Sequence, residues 1–230
     1  MKSNIISLQV GKVRSLGDST GRTFFDKAWE SGSFKEAVKS ALWLSKSGLD
    51  GDEVADKIHH GGEEKALFAN SYENYENWRL FLGLESLPFG ALSENITVSG
   101  LHESTVFLGD IHKIGDAIVQ VSQPRKPCWK ISKKWKNKKF TNEIYTTGLT
   151  GWYYRVLREG YIKSGDTIEV ISQDNIKISI LEANMAFANP DEQKELLQKI
   201  ATLPYIAQSY KNSIIGRISG DFSLKYMNLE

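Results

Sequence analysis

Short runs in which apolar and polar residues alternate recur through the first half of the chain, and this pattern is typical of β-strands. Three Gly-Asp pairs, beginning at Gly109, Gly115 and Gly165, each stand directly before an apolar run. A Gly-Asp pair at such a point favours a tight turn between antiparallel strands. The predicted strands cover residues 4–10, 22–29, 37–44, 95–98, 105–114, 117–123 and 165–173.

Helical spacing is found in two segments within this β-rich region. Tyr75 and Trp78 lie at helical spacing after Ser71, which stands where an N-cap is expected. Gly83 marks the end of this predicted helix. The stretch GWYYRVLREG, residues 151–160, also has the pattern of a helix.

After about residue 177 the alternation gives way to three short helical patterns. Asn189 is predicted to cap the middle helix, with Pro190 at its first position, and Pro204 separates that helix from the last. The tail is expected to lie on the surface. The predicted division is a β-rich domain over 1–176, a three-helix appendage over 177–220 and a tail over 221–230.

Composition limits the classes of protein to which the chain can belong. Hydrophobic residues make up 40% of the 230 residues, enough for a folded core, and the net charge of +1 gives no overall field that selects nucleic acid or an acidic membrane. The sequence MKSNIISLQV is too polar for a signal peptide, and no apolar run approaches the ~20 residues of a membrane span. A single cysteine excludes an internal disulfide. These features predict a cytoplasmic protein.

The only cysteine, Cys128, lies in the sequence QPRKPCWK, where two prolines stiffen the backbone. Arg125, Lys126 and Lys130 would favour the thiolate if their charges lie close to the sulfur. A thiolate can act as a nucleophile, a redox centre or a ligand for a soft metal. A lone cysteine is also commonly a small buried core residue, and the pattern does not choose among these roles.

The sequence DKIHHGGEEKAL could form a binding turn. Gly61-Gly62 would let the backbone turn sharply and offer its N–H groups to a phosphate, with Lys65 as a charge partner. Adjacent residues of an extended chain point to opposite faces, so His59 and His60 are not expected to hold one ion together. An ordinary β-turn with two surface histidines explains the same residues equally well.

An acid–amide pair and a basic run are the remaining candidates. Glu94 and Asn95 stand between glycine-containing turns in GALSENITVSGL, where an amide can also bond its own backbone. KISKKWKNKK, residues 130–139, can bind single-stranded nucleic acid, although such a run is more often a solvated face. Because the run adjoins Cys128, its cations could also contact the phosphate of a cofactor. The sequence has no P-loop, HExxH or GxSxG motif.

The order of these blocks resembles the MOSC domain, which handles the molybdenum cofactor. GLDGDEVADKIHHGG is followed by GALSENITVSGLHESTVFLGD, then by IGDAIVQVSQPRKPCWKI and TGLTGWYYRVL. The sequence looks like the bacterial stand-alone branch linked to resistance against 6-N-hydroxylaminopurine, whose members carry a three-helix appendage. The resemblance implies a mainly β fold with α-helices: a MOSC-type β-barrel core, peripheral helices and a small C-terminal helical appendage.

The resemblance also implies which residues bind the cofactor. In the family, the cysteine after QPR.P is the protein ligand to molybdenum; this position is Cys128, which would be the catalytic residue and the metal ligand. Arg125 matches the motif arginine and would stabilise the thiolate or contact the pterin. Ser93 stands where many members have glycine or a neighbouring small residue. The other matched cofactor-binding positions are His60, Gly61, Gly62, Lys65, Glu94 and Asn95.

The activity implied by the resemblance is a two-electron reduction of an N-hydroxylated compound such as 6-N-hydroxylaminopurine. R–NHOH, two electrons and two protons give R–NH2 and water. Because the chain has no flavin motif and no cysteine set for an iron–sulfur cluster, the electrons are expected from a flavoprotein. No membrane and no specific nucleic acid are expected as partners.

Three alternatives stay open. The first is a carrier or sulfur-handling protein that binds the molybdenum cofactor without turnover. The second is a nucleic-acid-binding module that uses residues 130–139, and the third is a cysteine-nucleophile enzyme that needs no molybdenum.

Overall fold

The computed structural model describes residues 3–227 as a mixed α/β fold dominated by one large sheet. The strands are β1 (Asn4–Val10), β2 (Arg14–Leu16), β3 (Trp29–Ser31), β4 (Glu36–Val38), β5 (Leu42–Ser45), β6 (Gly48–Leu49), β7 (Leu67–Ser71), β8 (Ile96–Ser99), β9 (Ile111–Ile114), β10 (Ala117–Pro124), β11 (Trp152–Arg158), β12 (Gly160–Ile162) and β13 (Ile168–Ser172). The α-helices are α1 (Lys57–His60), α2 (Tyr75–Leu82), α3 (Trp129–Lys134), α4 (Phe140–Thr147), α5 (Ile180–Ala188), α6 (Lys194–Thr202) and α7 (Gln208–Ser219).

The large sheet has eight strands in the order β13-β9-β10-β11-β7-β8-β1-β4. Neighbouring strands are antiparallel, except for the parallel pair β7 and β8. These ladders leave β13 and β4 at the two edges and do not close the sheet into a barrel. An isolated bridge between Asn4 and Thr167 joins the start of β1 to the segment before β13. A β-rich core with helices is therefore confirmed, whereas the barrel stays a prediction.

All three Gly-Asp pairs lie at turns, but only the middle pair links two strands that pair with each other. Gly115-Asp116 is the two-residue link between β9 and β10. The φ angles of Gly109, Gly115 and Gly165 are 86°, 55° and 89°, in the region that glycine adopts without steric cost. The sequence could predict these turns because their backbone requirement is local.

Two predicted elements are wrong. Two other predicted strands are only partly formed, because 37–44 divides into β4 and β5, and only the last four residues of 105–114 form β9. Residues 151–160 were expected to be helical, but β11 lies between β10 and β7 in the sheet. Trp152, Tyr154 and Val156 are buried at a period of two, and pairing with strands distant in sequence provides the hydrogen bonds that stabilise this conformation. Residues 22–28, expected to be a strand, form turns and one isolated bridge, and β3 begins only at Trp29.

A second hydrophobic cluster, separate from the core of the sheet, holds α2, α3 and α4 together. Trp78 from α2, Ile131 from α3 and Phe140 from α4 belong to it. The predicted stop of α2 at Gly83 is confirmed, with a φ of 66°. Since α3 begins directly after Cys128, this cluster anchors one side of the cysteine loop.

The three predicted C-terminal helices are present as α5, α6 and α7, and Pro204 lies between α6 and α7. Their apolar residues belong to the same buried cluster as those of the sheet. The predicted start of the middle helix is wrong, because the N–H of Asn189 donates to the carbonyl of Met185 and ends α5, while α6 begins at Lys194. The domain boundaries at 176 and 220 stay predictions.

The described part of the tail is packed rather than extended over the surface. The Phe222 ring lies 5.4 Å from that of Phe187 in α5, and Met227 is buried. These apolar side chains give the segment enough contact to order it against the helices. Residues 228–230 of the predicted tail lie outside the described residues.

Candidate cofactor site

A cavity of about 350 Å³ opens between the loops at one side of the sheet. Its walls come from the segments 31–35, 45–56 and 60–66, from the start of β11 and from the loop after β10. The structure thus brings together segments that are far apart in sequence. The predicted site residues that line it are Cys128, Arg125, His60, Gly61, Gly62, Lys65 and Asn95.

Arg125 is a buried cation of the cavity wall, with 7% of its surface exposed. Its backbone N–H donates to the carbonyl of Gly151 at 3.1 Å, and its guanidinium lies 5.6 Å from the centre of the Phe68 ring. The Nη1 group has no hydrogen-bond partner among the described residues. A buried donor left unpaired is costly, so this guanidinium is suited to an anionic ligand.

Cys128 is half-buried and its backbone is fixed by the start of α3. The carbonyl of Cys128 accepts hydrogen bonds from the N–H of Ile131 and from the hydroxyl of Thr141, both at 3.1 Å. Within residues 3–227, no group of three or more His, Cys, Asp or Glu side chains is arranged to hold a metal ion. A metal at this cysteine would therefore need its other donors from a cofactor.

The histidine pair is part of a short helix rather than a strand. The carboxylate of Asp56 accepts from the N–H groups of Ile58 and His59 and so caps α1. His59 is exposed, whereas His60 lines the cavity, so the two side chains diverge as expected. Burial, aided by the nearby Arg125 guanidinium, lowers the pKa of His60 to about 4. His60 is therefore a neutral imidazole at neutral pH.

The Lys65 side chain reaches back across the glycine turn to the residue before His60. Its ammonium donates to the carbonyl of His59 at 2.8 Å, and burial lowers the pKa of this lysine from its usual range. Gly62 has a φ of 99°, and a Cβ on Gly61 would lie 2.9 Å from the carbonyl oxygen of Lys57. Both glycines are therefore required by the backbone, and the Lys65 side chain lies at the cavity wall.

Asn95 connects the cavity to an ion pair that sequence reasoning missed. Its amide donates to the Asp52 carboxylate at 2.8 Å, and Asp52 pairs with Lys35 at 2.5 Å. Both partners of this pair are nearly buried, with 10% and 6% of their side chains exposed. No local pattern could have revealed it, because the two residues meet only through the fold.

Glu94 was expected to bind the cofactor, but it does not line the cavity. Its carboxylate is fully buried and accepts from the N–H groups of Gly90 and Leu92. It also accepts from the hydroxyl groups of Tyr75 and Thr97. Glu94 therefore supports the turn behind the site.

Ser93, which precedes Glu94, has a φ of 76°. This left-handed conformation is one that glycine adopts without steric cost and that other residues adopt rarely.

Tyr153 is another cavity residue that sequence reasoning missed, because the segment was expected to be helical. Its ring lies 5.1 Å from that of Phe68, and it lines the cavity. Burial raises the pKa of Tyr153 to about 12. The phenol keeps its proton at neutral pH and can donate a hydrogen bond.

The basic run 130–139 is only partly a solvated face. Lys133 donates to the carbonyl of Lys27, and Lys134 donates to those of Ser33 and Gly90 at 2.8 and 2.9 Å. Burial lowers the pKa of Lys134 to about 7. Of the lysines in this run, Lys130 alone lines the cavity among the described residues. Two cations of the run are therefore engaged by backbone carbonyls.

Across the described part of the chain, none of the helices combines the length and apolarity needed to traverse a bilayer.

Known proteins resemble both the sequence and the fold. The MOSC domain family profile matches residues 56–169. The uncharacterized protein YflK of Bacillus subtilis is 34% identical over 212 residues, which cover 92% of this chain and 93% of that protein. The crystal structure of YiiM from Geobacillus stearothermophilus has a TM-score of 0.77 at 30% identity and covers 94% of this chain and 99% of that one. Both similarities therefore extend into the C-terminal helices.

A fungal protein is similar over a smaller part of its own length. A protein named "Reductase" from Gibberella moniliformis is 32% identical over 178 residues. The alignment covers 74% of this chain but 31% of that protein. Most of the fungal protein therefore lies outside the shared region.

Proposed function

Since this chain belongs to the MOSC domain family, whose members are associated with the molybdenum cofactor, we propose that it binds that cofactor and reduces small N-hydroxylated compounds. The substrate class includes hydroxylamino bases such as 6-N-hydroxylaminopurine. One relative is named a reductase, which supports an oxidoreductase rather than a purely structural role.

The observation that carries the proposal is the presence of a lone thiol and an unpartnered buried guanidinium in one cavity. Cys128 offers the soft donor that a sulfur-bound metal accepts. Arg125 offers an unpaired N–H to an anion such as a pterin phosphate. Lys65 and Lys130 add positive charge to the same walls. The thiol and the unpaired guanidinium therefore fit an anionic metal cofactor.

The predicted site residues that line the cavity have distinct roles in this proposal. Cys128 would ligate the metal, Arg125 would hold the anionic part of the cofactor, and the N–H groups of the Gly61-Gly62 turn would face it. Asn95, whose amide donates to Asp52, would hold that carboxylate in place in the cavity wall. When bound, the molybdenum cofactor would supply the two-electron redox chemistry.

The protein itself would orient the substrate and limit access of water to the cavity. His60 is neutral at neutral pH, because its pKa is about 4, and would accept a hydrogen bond rather than deliver a proton as imidazolium. The Tyr153 phenol, with a pKa of about 12, would donate a hydrogen bond to the substrate.

We further propose that a separate flavoprotein supplies the electrons. The chain lacks sequence motifs for a flavin, and the fungal relative named "Reductase" contains much additional sequence beside the shared region. A cytoplasmic location suits this role, because a reducing compartment keeps Cys128 in the thiol form.

The proposal is tested by turnover with a chemical electron donor. The protein would be purified from a host that makes the molybdenum cofactor and assayed with reduced methyl viologen. The substrates would be 6-N-hydroxylaminopurine, a hydroxamate and an amidoxime. For every two electrons consumed we expect one equivalent of product: the amine from 6-N-hydroxylaminopurine, the amide from the hydroxamate and the amidine from the amidoxime. Bound molybdenum without turnover on any of the three would reject the reductase and favour the carrier.

A further inference from the structure

We propose that the C-terminal helical unit positions the cysteine loop through Lys126, which makes Lys126 a positioning residue of the site. We define the latch as the contacts of Lys126 with α7 and with the segment that follows α7. That the latch serves a metal ligand rests on the proposed function; that it holds the loop rests on the contacts alone.

The Lys126 ammonium is held on the side of the loop that faces away from the cavity. It donates to the hydroxyl of Ser213 in α7 at 2.7 Å. It also lies 5.1 Å from the centre of the Phe222 ring and 5.6 Å from that of Tyr226. A cation enclosed by two aromatic faces and one hydroxyl acceptor is bound by cation–π attraction and a charge-assisted hydrogen bond together.

The neighbouring residues of the loop point in opposite directions. Arg125 lines the cavity, whereas Lys126 contacts α7 and does not line it. Pro124 and Pro127 fix two φ angles between the end of β10 and Cys128. Because so few backbone torsions in this segment are free, fixing Lys126 also limits the positions open to the cysteine two residues later.

The helix that holds Lys126 is itself attached to the other wall of the cavity. The backbone N–H of Gln208, the first residue of α7, donates to both carboxylate oxygens of Glu64, at 3.1 and 2.9 Å. Glu64 follows the Gly61-Gly62 turn and also pairs with Arg155 at 3.2 Å. A carboxylate is favourable at a helix N-terminus, because it pairs with otherwise free N–H groups.

Two further hydrogen bonds attach the start of α7 to the end of β10. The N–H of Ala207 donates to the carbonyl of Ser122 in β10 at 3.0 Å, and the hydroxyl of Ser209 donates to the Gln123 side chain at 3.3 Å. Helix α7 therefore bridges the glycine turn and the cysteine loop. The appendage sets the relative position of the two loops that carry the predicted cofactor residues.

Ser213→Ala is the sharpest variant for the test, because it removes the hydrogen-bond acceptor of Lys126 and leaves every charge in place. Lys126→Met removes the cation but keeps most of the alkyl stem, and Lys126→Arg keeps the cation over the aromatic rings. The matched controls are Ser219→Ala, on the same helix, and Lys139→Met. Both control residues are exposed and make no contact with Lys126.

The first readout is the rate at which iodoacetamide alkylates Cys128 in the cofactor-free full chain. We expect Ser213→Ala to raise this rate about fivefold, because a released loop opens more often, while the thermal midpoint stays close to wild type. The rate of the double variant Lys126→Met/Ser213→Ala should match that of Lys126→Met, since both changes remove one interaction. Lys126→Arg and the two controls should stay near the wild-type rate.

The second readout is molybdenum per chain after expression in a cofactor-producing host. Residues behind a metal ligand commonly change metal affinity 10–100-fold, so we expect Lys126→Met to lower occupancy about tenfold at limiting cofactor, with recovery in Lys126→Arg. Wild-type alkylation rates in both Ser213→Ala and Lys126→Met would overturn the latch. A changed alkylation rate in a wild-type chain that never binds molybdenum would support the latch and reject the proposed function.

Discussion

At the scale of single residues, Arg125 distinguishes this cavity from an ordinary polar cleft. Its guanidinium is buried, and its Nη1 group lacks a protein partner within residues 3–227. Cys128 and Arg125 could be singled out from sequence, because a lone cysteine beside prolines and cations is a local pattern. Lys35 and Asp52 could not, since a buried ion pair between residues on different loops requires the fold.

We predict that Arg125→Met lowers molybdenum occupancy by about ten- to a hundredfold at limiting cofactor, because the anion loses a charge-assisted, geometrically fixed donor. Arg125→Lys should give an intermediate value, since an ammonium keeps the charge but not the planar fork. Arg158→Met, at an exposed end of β11, is the matched control. Elemental analysis of purified chains is the measurement, and wild-type occupancy in Arg125→Met would refute the anion-binding role.

We predict that His60 makes the protein less stable in mild acid. Its pKa is about 4 in the folded chain, against an ordinary value of 6.5, so the unfolded chain takes up the proton first as the pH falls. The stabilising contribution is complete above pH 6.5 and is lost between pH 6.5 and 4. After allowance for partial exposure, we expect a loss of about 2 kcal/mol.

His60→Gln should remove this part of the pH dependence. The measurement is the free energy of unfolding in urea at pH 7 and pH 4.5 for both proteins. An equal loss of stability in wild type and variant would contradict the assignment.

At the scale of elements, features set by a single residue were predictable from the sequence, whereas features set by pairing between distant strands were not. The Gly-Asp turns were predictable, because a positive φ is a property of one residue. Strand β11 was not, because WYYRV suits a helix or a strand until β7 and β10 pair with it. Glu94 was expected at the cavity for a related reason. Its motif indicates the turn, but only the fold shows that the carboxylate accepts from backbone N–H groups behind the cavity.

We predict that Gly109→Ala destabilises the fold by about 3 kcal/mol and Gly165→Ala by about 1 kcal/mol. Both glycines have a similar positive φ, 86° and 89°, so the backbone strain is matched. A Cβ at Gly109 would lie 2.5 Å from the ring of Tyr205, whereas a Cβ at Gly165 would meet nothing within 4 Å. Urea denaturation measures the free energy of unfolding of each variant. Equal losses would show that the Tyr205 ring moves aside without a cost in stability.

At the scale of the whole molecule, the C-terminal helices pack on the sheet and contact two loops of the candidate site. They share the hydrophobic cluster of the sheet, and α7 contacts both the glycine turn and the cysteine loop. The similarity to YflK and YiiM extends over more than nine-tenths of the chain, so the helical unit is part of what these proteins have in common. The number of these helices was predictable from periodicity, but their attachment to the loops was not.

The most direct test of the account is the molybdenum content of the wild-type chain and of Cys128→Ser, both purified from a host that makes the cofactor. We expect close to one molybdenum per chain in the wild type and at least about a tenfold reduction in the variant, because a serine hydroxyl is a poor substitute for a thiolate at a soft metal. Matching thermal midpoints would show that the variant is folded. Full molybdenum content in Cys128→Ser would contradict the assignment of the ligand, and a wild-type chain without molybdenum would contradict the proposed function.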